Sequence, residues 1–364
     1  NQALYNLLRV QQTIGDQIFA PTCGYINQNV DDSRTSIELS NIWSVSDELR
    51  LVGELNYHQE RIYSETYLDG SLSLDTLALS LNGEYLAENY TVNFGGYLEN
   101  NDNTDLEFSP RLSFAYHLTE QGTVRAVYSS SIRTPDTYEN EVVWRYKVKN
   151  VDENAAGVGP DTQFAVRAKG SGNLKPEEIS SYELGYLYNA ADGKVTIDSR
   201  LFYDKLTNLI SEKLELFDFN PTNNGKVTLK GAEADIKYSF NDGLLLHTVL
   251  AYLDNESNNV FEQTQYSRWS GHVSLSKTFD NAVVNLTYFG ASNQTDTQSY
   301  SRWKLDINYS VSSNLDLFAT VAYSPITRHD YIRLPNENYS SANINKHQEY
   351  DEKTELLVGM SYKF

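Results

Sequence analysis

The sequence predicts an all-β chain: a transmembrane antiparallel β-barrel with about fifteen strands present. Three observations carry this. Apolar and aromatic residues recur with period two, short and long connections alternate, and the last ten residues, ELLVGMSYKF, form an amphipathic strand that stops on an aromatic residue. Each observation is weak for one segment and strong when it repeats along a chain.

Residues 1–32 show no such period and read as a loop or partly ordered segment; 33–364 read as barrel. The alternating sets begin with Leu49/Leu51/Leu55/Tyr57, Leu77/Leu79/Leu81, Tyr90/Val92/Phe94 and Phe108/Leu112/Phe114/Tyr116. Val124/Ala126/Tyr128, Tyr182/Leu184/Tyr186/Tyr188, Val195/Ile197/Leu201/Tyr203 and Leu246/Leu250/Tyr252 follow. The series ends with Val273/Leu275, Val284/Leu286/Tyr288, Leu305/Ile307/Tyr309, Leu315/Leu317/Val321/Tyr323 and Leu356/Val358/Met360/Tyr362/Phe364. The other parity carries Arg125, Glu183, Asp198, Arg200, His247, His272, Asp306 and Asn308. Charges alternating with aromatics suit a wet lumen behind a lipid-facing wall, not a dry sandwich core.

Short turns rich in Asp, Asn, Ser and Gly fall at 46–48, 87–90, 119–122, 190–193, 241–243, 279–281 and 312–314. Longer polar connections fall at about 59–71, 99–106, 132–179, 207–224, 254–266, 291–300 and 326–351. Seven of each imply fifteen strands, with short periplasmic turns and long extracellular loops. The last strand then ends on the periplasmic side. Tyr116, Tyr188, Tyr238, Tyr309 and Tyr362 lie near one end of their strands, and Tyr128, Tyr252, Tyr288 and Tyr323 near the other. Two interfacial girdles of aromatics have this layout. Tyr362 and Phe364 at the C-terminus read as an outer-membrane assembly signal.

Composition narrows the functions. The chain has 27 Tyr, 14 Phe and 4 Trp against one Cys and one Met, and its net charge is −20. A nucleic-acid partner needs a basic footprint, which this charge excludes. No run of about 18 apolar residues is present, so the membrane would be crossed by strands. Asn1 is not Met, and residues 1–20 lack a basic stretch followed by an apolar core, so a processed or truncated chain is expected. No HExxH, CxxC, GxSxG, P-loop or GxGxxG occurs, so neither an enzyme nor a metal site nor a resident cofactor is expected.

From about residue 105 four stretches resemble TonB-dependent outer-membrane receptors. They are FSPRLSFAYHL (108–118) with GTVRAVYSSSIRTPDTYEN (122–140), GNLKPEEISSYELGY (172–186), RLFYDKLTNLI (200–210) and KGAEADIKYSF (230–240). The resemblance implies a barrel of about 22 strands around a plugged lumen. Its implied partners are a missing N-terminal plug or companion chain, the TonB complex acting through that missing part, and a small-molecule ligand. Outer-membrane lipid and lipopolysaccharide would surround the wall.

In this family the ligand is most often a ferric siderophore. Haem receptors carry a Phe-Arg-Ala-Pro box, a ligand His and an Asn-Pro-Asn-Leu box. The corresponding stretches here are Ile132-Arg133-Thr134-Pro135 and Ser171-Gly172-Asn173-Leu174, with no His between them. A ferric chelate is therefore expected, with iron present only inside it. Aromatic and Arg side chains on loops and lumen walls suit such oxygen-rich ligands. The candidates are Trp144, Arg145 and Tyr146; Tyr300 and Arg302; and Arg328, Tyr331 and Arg333. Arg133, Pro135 and Asn173 are expected to fix the loop entry instead. A passive porin-like channel and a soluble β-rich surface binding protein are the alternatives; an upstream plug would argue against the first, and solubility without detergent would favour the second.

Overall fold

The computed structural model describes residues 13–14, 17–18, 25–149, 161–211, 218–219, 221–258, 266–292, 299–325, 328–333, 344–350 and 353–363. Fifteen strands pair into one antiparallel sheet in chain order. They are β1 Asp31–Ser44, β2 Leu49–Ser64, β3 Gly70–Leu86, β4 Tyr90–Asn101 and β5 Thr104–His117. β6 Gly122–Arg133, β7 Glu177–Asn189, β8 Val195–Ser211, β9 Thr222–Ser239 and β10 Leu244–Ser257 continue it. β11 Trp269–Thr278, β12 Ala282–Ala291, β13 Tyr300–Ser312, β14 Leu315–Tyr323 and β15 Thr354–Tyr362 complete it. The one helix among the described residues, α1 (Thr137–Glu141), sits in the β6–β7 loop.

Register turns the period-two pattern into two faces, because adjacent residues on a strand point to opposite sides. One face is apolar in continuous rows. Leu39, Leu55, Leu79, Leu98 and Phe108 pair in series across β1 to β5. Phe114, Ala126, Leu184, Leu201, Ala232 and Tyr252 do so across β5 to β10, and Leu246, Leu275, Leu286, Leu305, Val321 and Leu356 across β10 to β15. These side chains are uncovered: Leu184 is 53% exposed and Leu201 57%. A contiguous apolar face of this size belongs against lipid, since water would disfavour it by about 25 cal/mol per Å².

Aromatics bound this face at both ends. Tyr128–Tyr182 (5.1 Å between ring centroids), Tyr252–Trp269 (4.7 Å) and Tyr288–Trp303 (4.8 Å) lie toward the long-loop end. Tyr85–Tyr90 (6.1 Å), Tyr90–Phe114 (5.8 Å) and Tyr238–Phe240 (4.4 Å) lie toward the short-turn end.

The short turns fall where the sequence predicts them, closed by bonds such as Ala87 N to Tyr90 O and Phe279 N to Ala282 O. Gly193 and Gly243 take φ of 69° and 78°, left-handed values that favour glycine. Two of the expected long connections are short. β2 runs to Ser64 and β3 starts at Gly70, and β4 and β5 are joined by a turn at 102–103 alone. Polar residues here stay in ladder pairing beyond the apolar rows, so the sequence pattern ends before the strand does.

Candidate functional site

The second face is polar and cross-linked from strand to strand. Arg200 on β8 bonds Glu233 on β9 (2.7 Å) and lies 3.5 Å from Glu183 on β7. Arg125 on β6 stands 3.5 Å from Asp198 and also covers Gly185, where any Cβ would strike its side chain. On β13 and β14 Asp306 accepts from Thr320 (2.7 Å) and Lys304 (2.9 Å). Charges at this density remain half-exposed and mutually paired, as a wall facing water or a polar filling requires.

One row of this face differs in chemistry. His247 on β10 is 3.0 Å from Asp235 on β9. The His247 and His272 rings meet edge to face at 5.0 Å, and His272 lies 5.6 Å from Phe289. Phe289 pairs with Arg302 in register, and Arg302 bonds Glu355 on β15 at 2.7 Å. Imidazole, phenyl and guanidinium groups thus stand side by side across β10 to β13, able to stack on a planar ligand or bond an anionic one.

At the long-loop end the chain ties itself down. Arg133, the last residue of β6, bonds Glu139 of α1 through both terminal nitrogens (3.0 Å each) and Glu177 of β7 at 2.5 Å. The Glu177 bond first, then Glu139, holds its pKa above the ordinary guanidinium value. Asp136 caps α1 in a capping box with Glu139. Buried Asn140 accepts from Leu174 N at 3.1 Å, and its carbonyl accepts from Gly172 N. The next stretch lies on the β2–β3 loop: Val143 N and Arg145 N donate to Tyr67 O and Thr66 O. The hydroxyls of buried Ser64 and Thr66 in turn donate to Asn29 O (3.1 Å) and Asn27 O (2.5 Å). A cavity of about 420 Å³ opens nearby, lined by His58, Glu60, Tyr97, Glu99, Asn101 and Thr134 among others.

The sequence-predicted residues do not form one cluster. Trp144 packs on Tyr67 at 5.5 Å, and Arg145 is paired with Asp69 at 3.1 Å. Tyr146 pairs with Phe164 through the backbone, and its side chain lies outside the described residues. Tyr300 is exposed on the polar-face parity of β13, two residues before Arg302. Arg328, Tyr331 and Arg333 lie on a strand paired with Ile344–Tyr350, their side chains outside the described residues. Tyr362 ends β15, 57% exposed; Phe364 and Cys23 lie outside the described residues. Sequence reasoning missed Asp235 and Phe289, and it left His247 and His272 without a role. Their common parity was visible; the register that aligns four strands was not.

Comparison with known proteins gives the fold its family. Residues 11–322 match the family model described as "TonB dependent receptor-like, beta-barrel". The chain is 25% identical over 186 residues to an iron-regulated outer membrane virulence protein of Vibrio cholerae, covering 48% of this chain and 26% of that protein. The siderophore receptor PirA of Pseudomonas aeruginosa superposes with a TM-score of 0.62 at 17% identity, over 82% of this chain and 54% of that one. A variant of the ferric enterobactin receptor of Pseudomonas aeruginosa, in complex with enterobactin, gives 0.65 at 16%, over 94% and 59%. The copper transporter OprC gives 0.68 at 14%, over 94% and 58%. The chain therefore spans little more than half of these solved chains and about a quarter of the curated relative. Its apolar face is the lipid side of an outer-membrane wall and its polar face the lumen side, and the chain belongs to the TonB-dependent receptor family, through its β-barrel domain.

Proposed function

We propose that this chain is the C-terminal portion of a receptor barrel that takes up a ferric siderophore across the outer membrane, energised by TonB. In this reading 33–364 form the barrel portion and 1–32 lead into it. Further strands and a plug, from the same or a companion chain, complete the lumen and reach the TonB complex. The short turns and the C-terminus face the periplasm, and Tyr362 with Phe364 serves as the assembly signal. Iron enters only within its chelate, without a resident cofactor.

The single observation that carries the ligand reading is the lumen-side row of His247, His272, Phe289 and Arg302, with Tyr300 on the same face. It offers stacking surface and a cation where oxygen-rich chelates pass. Trp144, Arg145, Tyr146, Arg328, Tyr331 and Arg333 serve as loop contacts at the entrance. The family is one of receptors and transporters rather than enzymes. The test is uptake of radiolabelled ferric siderophores by iron-starved cells carrying the whole receptor. Uptake that stops when the proton gradient is collapsed supports the proposal. Uptake indifferent to the gradient makes the protein a passive channel.

A further inference from the structure

The wall is not zipped along the whole of β5 and β6. Their ladder runs from His117 opposite Thr123 to Arg111 opposite Ser129 and stops there. Each strand nevertheless continues toward the long-loop end on its other side. β5 stays paired with β4 as far as Thr104, and β6 stays paired with β7 as far as Arg133. Residues 104–110 of one strand and 130–133 of the other therefore border a gap in the middle of the sheet. The sequence supplies the cause. Position 110, the first beyond the ladder, is Pro, which has no N–H to give to a neighbouring strand. Continuing the register would set Ser109 opposite Ser131 and Glu107 opposite Arg133, and neither pairing forms. The Ser130 hydroxyl turns instead to Ile179 O on β7 (3.1 Å), and Arg133 is engaged by Glu139 and Glu177.

A cavity of about 500 Å³ occupies the gap, lined by Thr104, Asp105, Glu107, Ile132, Lys175 and Glu178 among others. Lower on the polar face, carboxylates are matched with cations, as Glu183, Glu233 and Asp198 are. Here Asp105, Glu107 and Glu178 have no ion pair among the described residues, and Lys175 is the one cation in the lining. The Thr104 hydroxyl oxygen is closed off from solvent and makes no hydrogen bond among the described residues. Free backbone edges and uncompensated negative charge thus share one slot.

We propose that this slot docks an extended, cationic segment of another polypeptide, which adds to the free edge of β5 as an extra strand. The backbone groups of 104–110 supply the pairing, and Lys or Arg side chains of the guest meet Asp105, Glu107 and Glu178. Charge complementarity selects this occupant. A second copy of the chain, at a net charge of −20, would bring its own Asp105 and Glu107 to the same edge. A metal ion is a poor fit, because no group of three ligating side chains converges among the described residues. The inference rests on the wall alone and not on which small molecule the lumen carries.

The test uses the whole receptor in detergent and a synthetic peptide of alternating Lys and Thr, about ten residues long so that it spans the edge. Its controls are the alternating Glu and Thr analogue and the Lys peptide with N-methylated backbone amides. The expected result is saturable binding of the unmodified Lys peptide alone. The triple variant Asp105→Asn, Glu107→Gln and Glu178→Gln should weaken it about tenfold or more, as the loss of three exposed ion pairs implies. Pro110→Ala restores the missing donor, should let the β5–β6 ladder extend, and should lower binding as well. The gap is read separately: Ser109→Cys with Ser131→Cys should cross-link faster in the Pro110→Ala background than with Pro110 in place. Heat-modifiable migration on gels checks that each variant is folded. No saturable binding, equal binding of the N-methylated peptide, or a folded triple variant that binds as well as the parent overturns the proposal. Equal cross-linking in both backgrounds overturns the role given to Pro110, and so does a Pro110→Ala variant that cross-links faster yet binds as before.

Discussion

The two faces of the sheet are built from the same strands by opposite rules. The lipid face is held by rows of single apolar side chains such as Leu275, Leu286, Leu305 and Val321, which need no partner beyond their neighbours in register. The lumen face is held by specific pairs, Arg200 with Glu233 or His247 with Asp235, each of which fails if one member changes. Tolerance on one face is set by polarity, and on the other by the identity of the partner. Adjacent residues on one strand should therefore respond very differently to the introduction of a positive charge.

The sharpest test is on β12. Leu286→Arg places a charge in the apolar band and should destabilise the folded wall by about 2–4 kcal/mol. Asn285→Lys, one residue away and opposite Asp306 in register, should change stability by less than about 1 kcal/mol. Urea unfolding in lipid vesicles reads both, and equal losses would break the two-face description. Trp303→Ala at the long-loop girdle removes its ring contact with Tyr288 (4.8 Å between centroids) and should cost about 1 kcal/mol in the same assay.

On the lumen side the pairs are half-exposed, so they are expected to be weak one at a time. Arg200→Ala should lose about 0.5–1 kcal/mol, and a double-mutant cycle with Glu233→Gln should recover most of it as coupling. Additive losses would mean that the pair seen here is not felt. The smallest effect belongs to Asp242 in the β9–β10 turn, where the Lys277 side chain holds the carboxyl below its usual range. A carboxyl lowered in the folded state contributes stability that is fully present above its unfolded pKa and is lost as pH falls through the lowered, folded-state pKa. Asp242→Asn should therefore flatten a slight decline in melting temperature at acidic pH and leave neutral pH almost unchanged.

How much of this was legible follows from which information is local. The parity of Leu184 against Glu183, or Leu286 against Asn285, is written in adjacent residues, so strands, faces and short turns could all be read from sequence. Strand length could not: Asn101 and Thr104 are polar and read as loop, yet they pair across a turn at 102–103. The binding candidates fared differently, because aromatic and Arg side chains can be found by type while their use depends on distant partners. Arg145 meets Asp69, and Arg302 meets Glu355. Nothing in the sequence near either Arg announces its carboxylate. Arg133 was easier, since Glu139 is six residues away and belongs to a capping box visible in Asp136-Thr137-Tyr138-Glu139.

The knot of hydrogen bonds joining 27–29, 64–67 and 143–145 has a consequence in time. Arg145 and Asp69 are separated by 76 positions in the chain, and four sheet strands, β3 to β6, lie between them. Those strands pair with their immediate sequence neighbours, so the wall can grow hairpin by hairpin. The knot cannot close until the sixth strand is in place and the loop beyond it has arrived. The long-loop end is thus locked there only after β1 to β6 have formed, and those strands can be laid down before anything fixes the loops above them.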